Sequence, residues 1–247
     1  MQDLDLANAT FTAEVGIKQR LGVEAVLPFN NVISRIRFLD GNREPLDRPQ
    51  GDIHHRNETL AGIGDPWLML HRGWMAGRWS LAARAGVTLP LGRTEPNPFT
   101  LADLGLPHQH IQFGTGTWDP VAGVAGGRRW GETAFTLTGV ARLIFGENGH
   151  GYRAGHRYYA DASVSHRAGP WGGSLGLNLL REEAERWDGR VRTEEGNLGR
   201  TDLLVAAGLQ RSLGGVGAFV TVKVPLVTHA EGAQVDYPLI FSFGFVH

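Results

Sequence analysis

Apolar and polar residues alternate along most of this chain, with the two-residue period of a strand whose successive side chains point to opposite faces. In 79–89 the odd positions Trp79, Leu81, Ala83, Ala85, Val87 and Leu89 are apolar, and the even ones include Ser80, Arg84 and Thr88. Segment 134–145 sets Phe135, Leu137, Ala141, Leu143 and Phe145 against Thr136, Thr138 and Arg142. Segment 216–226 sets Ala218, Val220, Val222, Val224 and Leu226 against Thr221 and Lys223. The last strand carries Tyr237, Leu239, Phe241, Phe243 and Phe245 on one face. Further alternating strands are predicted at about 10–18, 21–38, 63–72, 110–124, 157–166, 173–183 and 201–211. Within 21–38 the apolar parity is odd from Leu21 to Phe29 and even at Val32, Ile36 and Phe38. A β-bulge or a tight turn at Asn30-Asn31 is expected to absorb that switch.

The connections alternate in length. Gly73–Gly77, Gly126–Gly131, Arg167–Gly172 and Ser212–Gly215 are short and glycine-rich, whereas 39–60, 91–108, 146–156 and 184–200 are long and polar. Short turns on one side and long loops on the other are the habit of antiparallel barrels that cross the outer membrane, with the long loops facing out. The expected fold is therefore all-β: a single antiparallel up-and-down transmembrane barrel over residues 1–247. The segments sum to eleven strands. Even numbers are usual, so twelve are expected, by a turn at Asn30-Asn31 or a short first strand within 2–8, with ten as the fallback.

Composition fits this picture. The 35 glycines are scattered, which disfavours helices and suits strands joined by tight turns. No run of 18 apolar residues offers a membrane-spanning helix. With 24 Lys+Arg against 25 Asp+Glu and no basic cluster interleaved with aromatics, nucleic acid is not an expected partner. The absence of cysteine excludes disulfides and thiolate metal sites. Met1–Asp5 resembles no signal peptide, so the expectation is an exported chain whose leader has been removed.

A soluble β-sandwich or lipocalin-like carrier alternates too. Against it stands the regularity of charge on the polar parity: Glu14, Lys18, Glu24, Arg35, Arg37, Asp65, Arg84, Asp119, Arg142, Asp161, Glu182, Asp202 and Lys223. These thirteen residues are the expected lumen-facing set, seven acidic and six basic. Balanced signs predict internal ion pairing and little ion selectivity. Trp67, Trp74, Trp79, Trp130, Tyr158, Tyr159, Trp171 and Tyr237 lie near strand ends, where interfacial girdles belong.

Four islands carry a family resemblance: Gly62-Ile63-Gly64-Asp65-Pro66, then Ala85-Gly86-Val87-Thr88-Leu89-Pro90-Leu91-Gly92, Phe113-Gly114-Thr115-Gly116-Thr117-Trp118-Asp119-Pro120 and Lys223-Val224-Pro225-Leu226-Val227. In this order they resemble the outer-membrane barrel family labelled "MetA-pathway of phenol degradation", transporters of Gram-negative bacteria. The chain departs from it in a short N-terminal region and in its last residues, Phe245-Val246-His247, where a terminal aromatic is the usual signal to the barrel-assembly machinery. The resemblance implies an outer-membrane transporter of small solutes, hydrophobic or aromatic ones included. Its partners would be membrane lipid, lipopolysaccharide and the assembly machinery.

Other chemistry is thin. His54-His55 and His108/His110 lie in or beside long loops, but strand spacing does not bring the pairs together, so no metal is expected. Asp161, Ser163, Ser165 and His166 contain the residue types of a hydrolytic triad, yet Ser165 and His166 point to opposite faces of a strand. Gly172-Gly173-Ser174-Leu175-Gly176 fits the nucleophile-elbow pattern without the following helix that an elbow requires. Gly114-Thr115-Gly116-Thr117 lacks the end of a phosphate loop and reads as a strand where glycine permits close approach. Neither an enzyme nor a cofactor is expected. An open conduit and a closed, ion-paired core both remain compatible with the sequence.

Overall fold

The computed structural model describes residues 2–38, 40, 42, 44, 57–193, 195–232 and 238–247. The chain forms β1 (Gln2–Lys18), β2 (Leu21–Ile36), β3 (Glu58–Ile63), β4 (Trp67–Ala76), β5 (Trp79–Thr88), α1 (Pro98–Asp103), β6 (Asp119–Trp130) and β7 (Thr133–Arg142). It continues through β8 (Tyr152–Arg153), β9 (Arg157–Ala168), β10 (Trp171–Glu182), β11 (Arg186–Trp187), β12 (Arg200–Leu213), β13 (Val216–Ala230) and β14 (Ile240–Val246). One curled antiparallel sheet runs β1-β2-β4-β5-β6-β7-β9-β10-β12-β13-β14, and β3 pairs with β2 off this path to make it twelve-stranded. Ten antiparallel steps leave β1 and β14 running the same way. Among the described residues, β1 pairs only with β2 and β14 only with β13.

Where the twelfth strand comes from differs from both expectations. Residues 2–8 belong to β1, and β2 runs through Asn30-Asn31 in unbroken register with it, from Gly22 opposite Gly16 to Ile36 opposite Gln2. There is neither a turn nor a bulge at that point; the shift lies between Gly16 and Lys18. The parity change is instead a change of neighbour. Leu21–Val26 pairs with β4, while Phe29–Ser34 pairs with β3. Between β3 and β4, Gly64-Asp65-Pro66 breaks the ladder opposite Pro28, and prolines on both sides remove the donors that would continue it.

Five two-residue turns join strands at one end, and four begin with a left-handed glycine: Gly77, Gly131, Gly169 and Gly214. In the turn after β1 the second residue, Arg20, takes φ 63 without glycine's steric freedom. At the other end lie the connections 89–118, 143–156 and 183–199, and there too β2 ends, β3 begins and β13 gives way to β14. The expected strand at 110–124 begins only at Asp119. Residues 110–118 are irregular, and 126–130, expected as a turn, belong to β6.

The apolar residues are inside out for a water-soluble domain. Nine hydrophobic residues are buried among the described residues, against thirty-seven large ones that are exposed, including Phe11, Leu137, Leu175 and Phe241. Monomeric soluble proteins rarely expose contiguous apolar patches beyond a few hundred Å². Such a sheet face needs an apolar surround.

Candidate functional site

The polar face of the sheet gathers most of the charged residues named above. Strand partners share a face, and the register Glu24↔Met69↔Gly86↔Val121↔Arg142↔Arg157↔Glu182↔Arg200 runs across it. Glu14, opposite Glu24, lies on this face, as do Arg84, Asp119, Asp161, Asp202 and Lys223 by their strand parity. Lys18 stands past the bulge, opposite Leu21, in a pocket with Glu14 and His71. Arg35 is on the opposite face, paired with Asp5 at 2.5 Å, and Arg37 lies beyond the end of β2. Their placement follows from the unbroken β1–β2 register: with no parity switch, odd positions stay outward.

At the long-connection end this face holds a buried network. Arg142 Nη2 lies 2.6 Å from Asp65 Oδ2 and 2.6 Å from Asp119 Oδ2, and its Nε donates to Asp119 Oδ2 at 3.1 Å. Asp65 is 2% exposed and Asp119 0%, so one guanidinium offsets two desolvated carboxylates. Neutral donors hold the second charge. Asp65 accepts from the Gly92 N–H at 3.0 Å and the Thr115 N–H at 2.8 Å, and Asp119 from the Thr117 hydroxyl at 2.6 Å and the Thr88 hydroxyl at 3.2 Å. Thr115 Oγ1 stands between the carboxylates, 2.9 Å from Asp65 and 2.8 Å from Asp119. Asp65 can reach in because the Gly64-Asp65-Pro66 break frees it from the ladder. A Cβ at Gly114 would lie 2.6 Å from its Oδ1, and one at Gly92 would lie 2.8 Å away. Close approach by glycine is thus realised in the 114–117 segment, in a loop and not in a strand.

The remaining pairs follow the strands. Glu24 accepts from Arg84 at 3.1 Å, and His71 Nε2 lies 3.1 Å from Glu14. Arg157 pairs with Glu182 at 2.7 Å, and Arg200 donates to both oxygens of Asp202 at 2.7 and 3.1 Å. Asp161 accepts from Asn178 and from Ser163.

Above the network the long connections fold into a cap. Asn97 caps α1 through its side chain, and Pro98 takes the first helical position. The two-residue strands β8 and β11 pair as a small ribbon. Trp187, 0% exposed, packs its ring 4.8 Å from Tyr152 and 6.3 Å from Phe99, and Ile144 and Ala154 complete the cluster. The Trp187 indole N–H donates to Glu185 at 3.0 Å. Burial raises the Glu185 carboxyl above its ordinary range, opposed by the Trp187 and Asn197 donors. The Tyr152 hydroxyl is raised by burial and by Glu185.

A family model described as "MetA-pathway of phenol degradation" matches residues 4–215. The chain belongs to this family. In fold, this family member resembles the crystal structure of an outer membrane channel from Pseudomonas putida F1, with a TM-score of 0.64 at 14% identity over 98% of this chain and 81% of that one. No curated protein matches it.

The family member's other candidate residues are not assembled into a catalytic or metal centre. His54 and His55 lie outside the described residues. His108 is buried with Nδ1 3.0 Å from the Leu106 carbonyl, and His110 Nε2 lies 3.1 Å from Glu195. No group of three His, Asp or Glu gathers around a possible ion among the described residues. His166 Nδ1 is 2.9 Å from Thr133 Oγ1, and Gly172–Gly176 lies inside β10 with no helix following. Parity and charge do not single out Thr115, Thr117, Arg157 or Arg200, and they give Thr88 a polar facing without its role as a donor to Asp119. The Thr115-Gly116-Thr117-Trp118-Asp119 spacing was the one available signal, since it puts hydroxyls two and four residues before an acid.

Proposed function

We propose that this chain is an outer-membrane channel for passive passage of small solutes, hydrophobic or aromatic ones included. The observation that carries this reading is the reversal of apolar and charged faces: hydrocarbon would cover Leu137, Leu175 and Phe241, while the ion-paired face lines the lumen. Trp74, Trp79, Trp130 and Trp171 flank the short turns, where an interfacial girdle would sit. The solved relative is an outer membrane channel, and the family description names phenol degradation, which supports small aromatic solutes. Nearly balanced, mutually paired charge favours weak ion selectivity. In this reading the long connections face the exterior, membrane lipid and lipopolysaccharide surround the strands, and the barrel-assembly machinery inserts them.

The folded cap favours a second reading, a plugged barrel without transport. Planar-bilayer conductance separates the two. Discrete, repeatable unitary steps are expected from refolded protein, with little preference between K⁺ and Cl⁻. A fully inserted protein that never conducts would remove the channel and leave the plug.

A further inference from the structure

We propose that the outer end of the barrel carries a binding site for the phosphate of a lipid headgroup, built on Arg153 and Arg186. The inference rests on the membrane reading above. The two arginines are direct cross-strand partners in the β8–β11 ribbon, so they stand on one face of it. The other partner pair, Tyr152 and Trp187, is buried in the cap, which turns the arginine face away from it. Like charges placed directly opposite one another destabilise a pair of strands. Among the described residues no carboxylate pairs with either of them. The Arg153 side chain has no hydrogen bond or ion pair among the described residues, and the Arg186 guanidinium donates there only to the Gly189 carbonyl, at 3.5 Å.

The arginines border a pocket of about 260 Å³ shared with Ile144, Phe145, His156 and Val191. The volume is far more than a water or two requires. His156 accepts the Ile144 N–H at Nδ1, at 2.9 Å, which leaves Nε2 as the protonated nitrogen of a neutral ring. The pocket is thus lined by two arginines and by a histidine whose free ring nitrogen is a donor. Glu183 is its one carboxylate, and it accepts from the Tyr158 hydroxyl at 3.3 Å. The sum favours an anion, and guanidinium forks match phosphate in particular.

Position selects a lipid over a free anion. The pocket lies just past the ends of β7 and β10 and the start of β9, at the long-connection end. Phe145, 65% exposed, and exposed Val191 form an apolar wall beside the cations. A headgroup phosphate would meet Arg153 and Arg186 while its acyl chains continue down the apolar outer face.

Native mass spectrometry of the detergent-purified protein tests this with three probes: lipid A bearing both phosphates, the same lipid dephosphorylated, and inorganic phosphate. One equivalent of phosphorylated lipid A should bind, and removing the phosphates should weaken it by roughly tenfold or more, the scale of lost charge-assisted bonds. The Arg153→Gln/Arg186→Gln double variant should lose binding to the same extent, with unchanged heat-modifiable mobility. Arg211→Gln, at the short-turn end, should bind like the parent. Equal binding of phosphorylated and dephosphorylated lipid to the parent protein would overturn the proposal even if the double variant failed to fold. So would binding of inorganic phosphate as tight as that of the lipid. Phosphate-dependent lipid binding by a protein that never conducts would retire the channel and keep this site.

Discussion

Arg142 is the residue on which the buried network turns, because Asp65 and Asp119 share one guanidinium. Removing one partner of a desolvated ion pair typically costs about 3–5 kcal/mol. Asp119→Ala should therefore destabilise the barrel by that order in a urea unfolding titration, while Asp103→Ala, exposed at the end of α1, should change little. Arg84 is not part of this network. It pairs with Glu24, because the register sets Arg84 opposite Gly123, four residues along β6 from Asp119. Thr88 shows the difference between parity and environment. Its parity marks a lumen position that should accept arginine, but it is 0% exposed and donates to Asp119. Thr88→Arg is expected to prevent refolding, as followed by heat-modifiable mobility. Glu185 supplies a pH dependence. Its folded pKa is raised above the unfolded value, so its contribution is fully present below about pH 4.3 and is lost as pH rises through the folded value. Limited proteolysis of the 183–199 connection should accelerate from acid toward neutral pH, and Glu185→Gln, which keeps an acceptor for Trp187, should flatten that slope. An unchanged slope in the variant would assign the effect to another group.

Strands carry the next scale of argument. In β7 the outward Leu137 is exposed, and its neighbour Thr138 faces the polar side opposite Asp161. Arginine on the lipid face near the bilayer midplane costs roughly 2–4 kcal/mol. Leu137→Arg should cost about that much in a refolding titration into lipid vesicles, whereas Thr138→Arg, beside a carboxylate, should be tolerated. Equal tolerance at the two positions would be incompatible with a membrane-facing apolar side. The Gly64-Asp65-Pro66 break shows how an interrupted strand serves the interior: the ladder loses three positions, and the network gains a carboxylate that a regular strand could not aim at Arg142.

For the molecule as a whole, the long connections at one end and two-residue turns at the other set a polarity. Protease added to intact cells should cut within 39–60, 91–108 or 184–200 and leave the Gly131-Glu132 turn intact. The latter two segments lie largely in the folded cap, so their cleavage should be slower than that of a denatured control. Cleavage only after the membrane is permeabilised would reverse the orientation.

Alternation by itself determined the strands at 79–89, 134–145, 173–183 and 216–226 and the exposure of Leu137 and Phe241. Period two is local, and glycine at Gly77, Gly131, Gly169 and Gly214 marks turns through a backbone conformation other residues resist. The same rule misled at Val32 and Ile36, which keep the inward even parity of an unbulged β2; Val32 is buried opposite Leu60 of β3. Register decided that Asp119 meets Arg142 while Arg84 meets Glu24, since a shift of two residues preserves every parity and changes every partner. The cap, too, was settled only by tertiary structure. Tyr152 and Trp187 lie in irregular polar segments with no periodicity to read, and they become a core only when three long connections converge over the sheet.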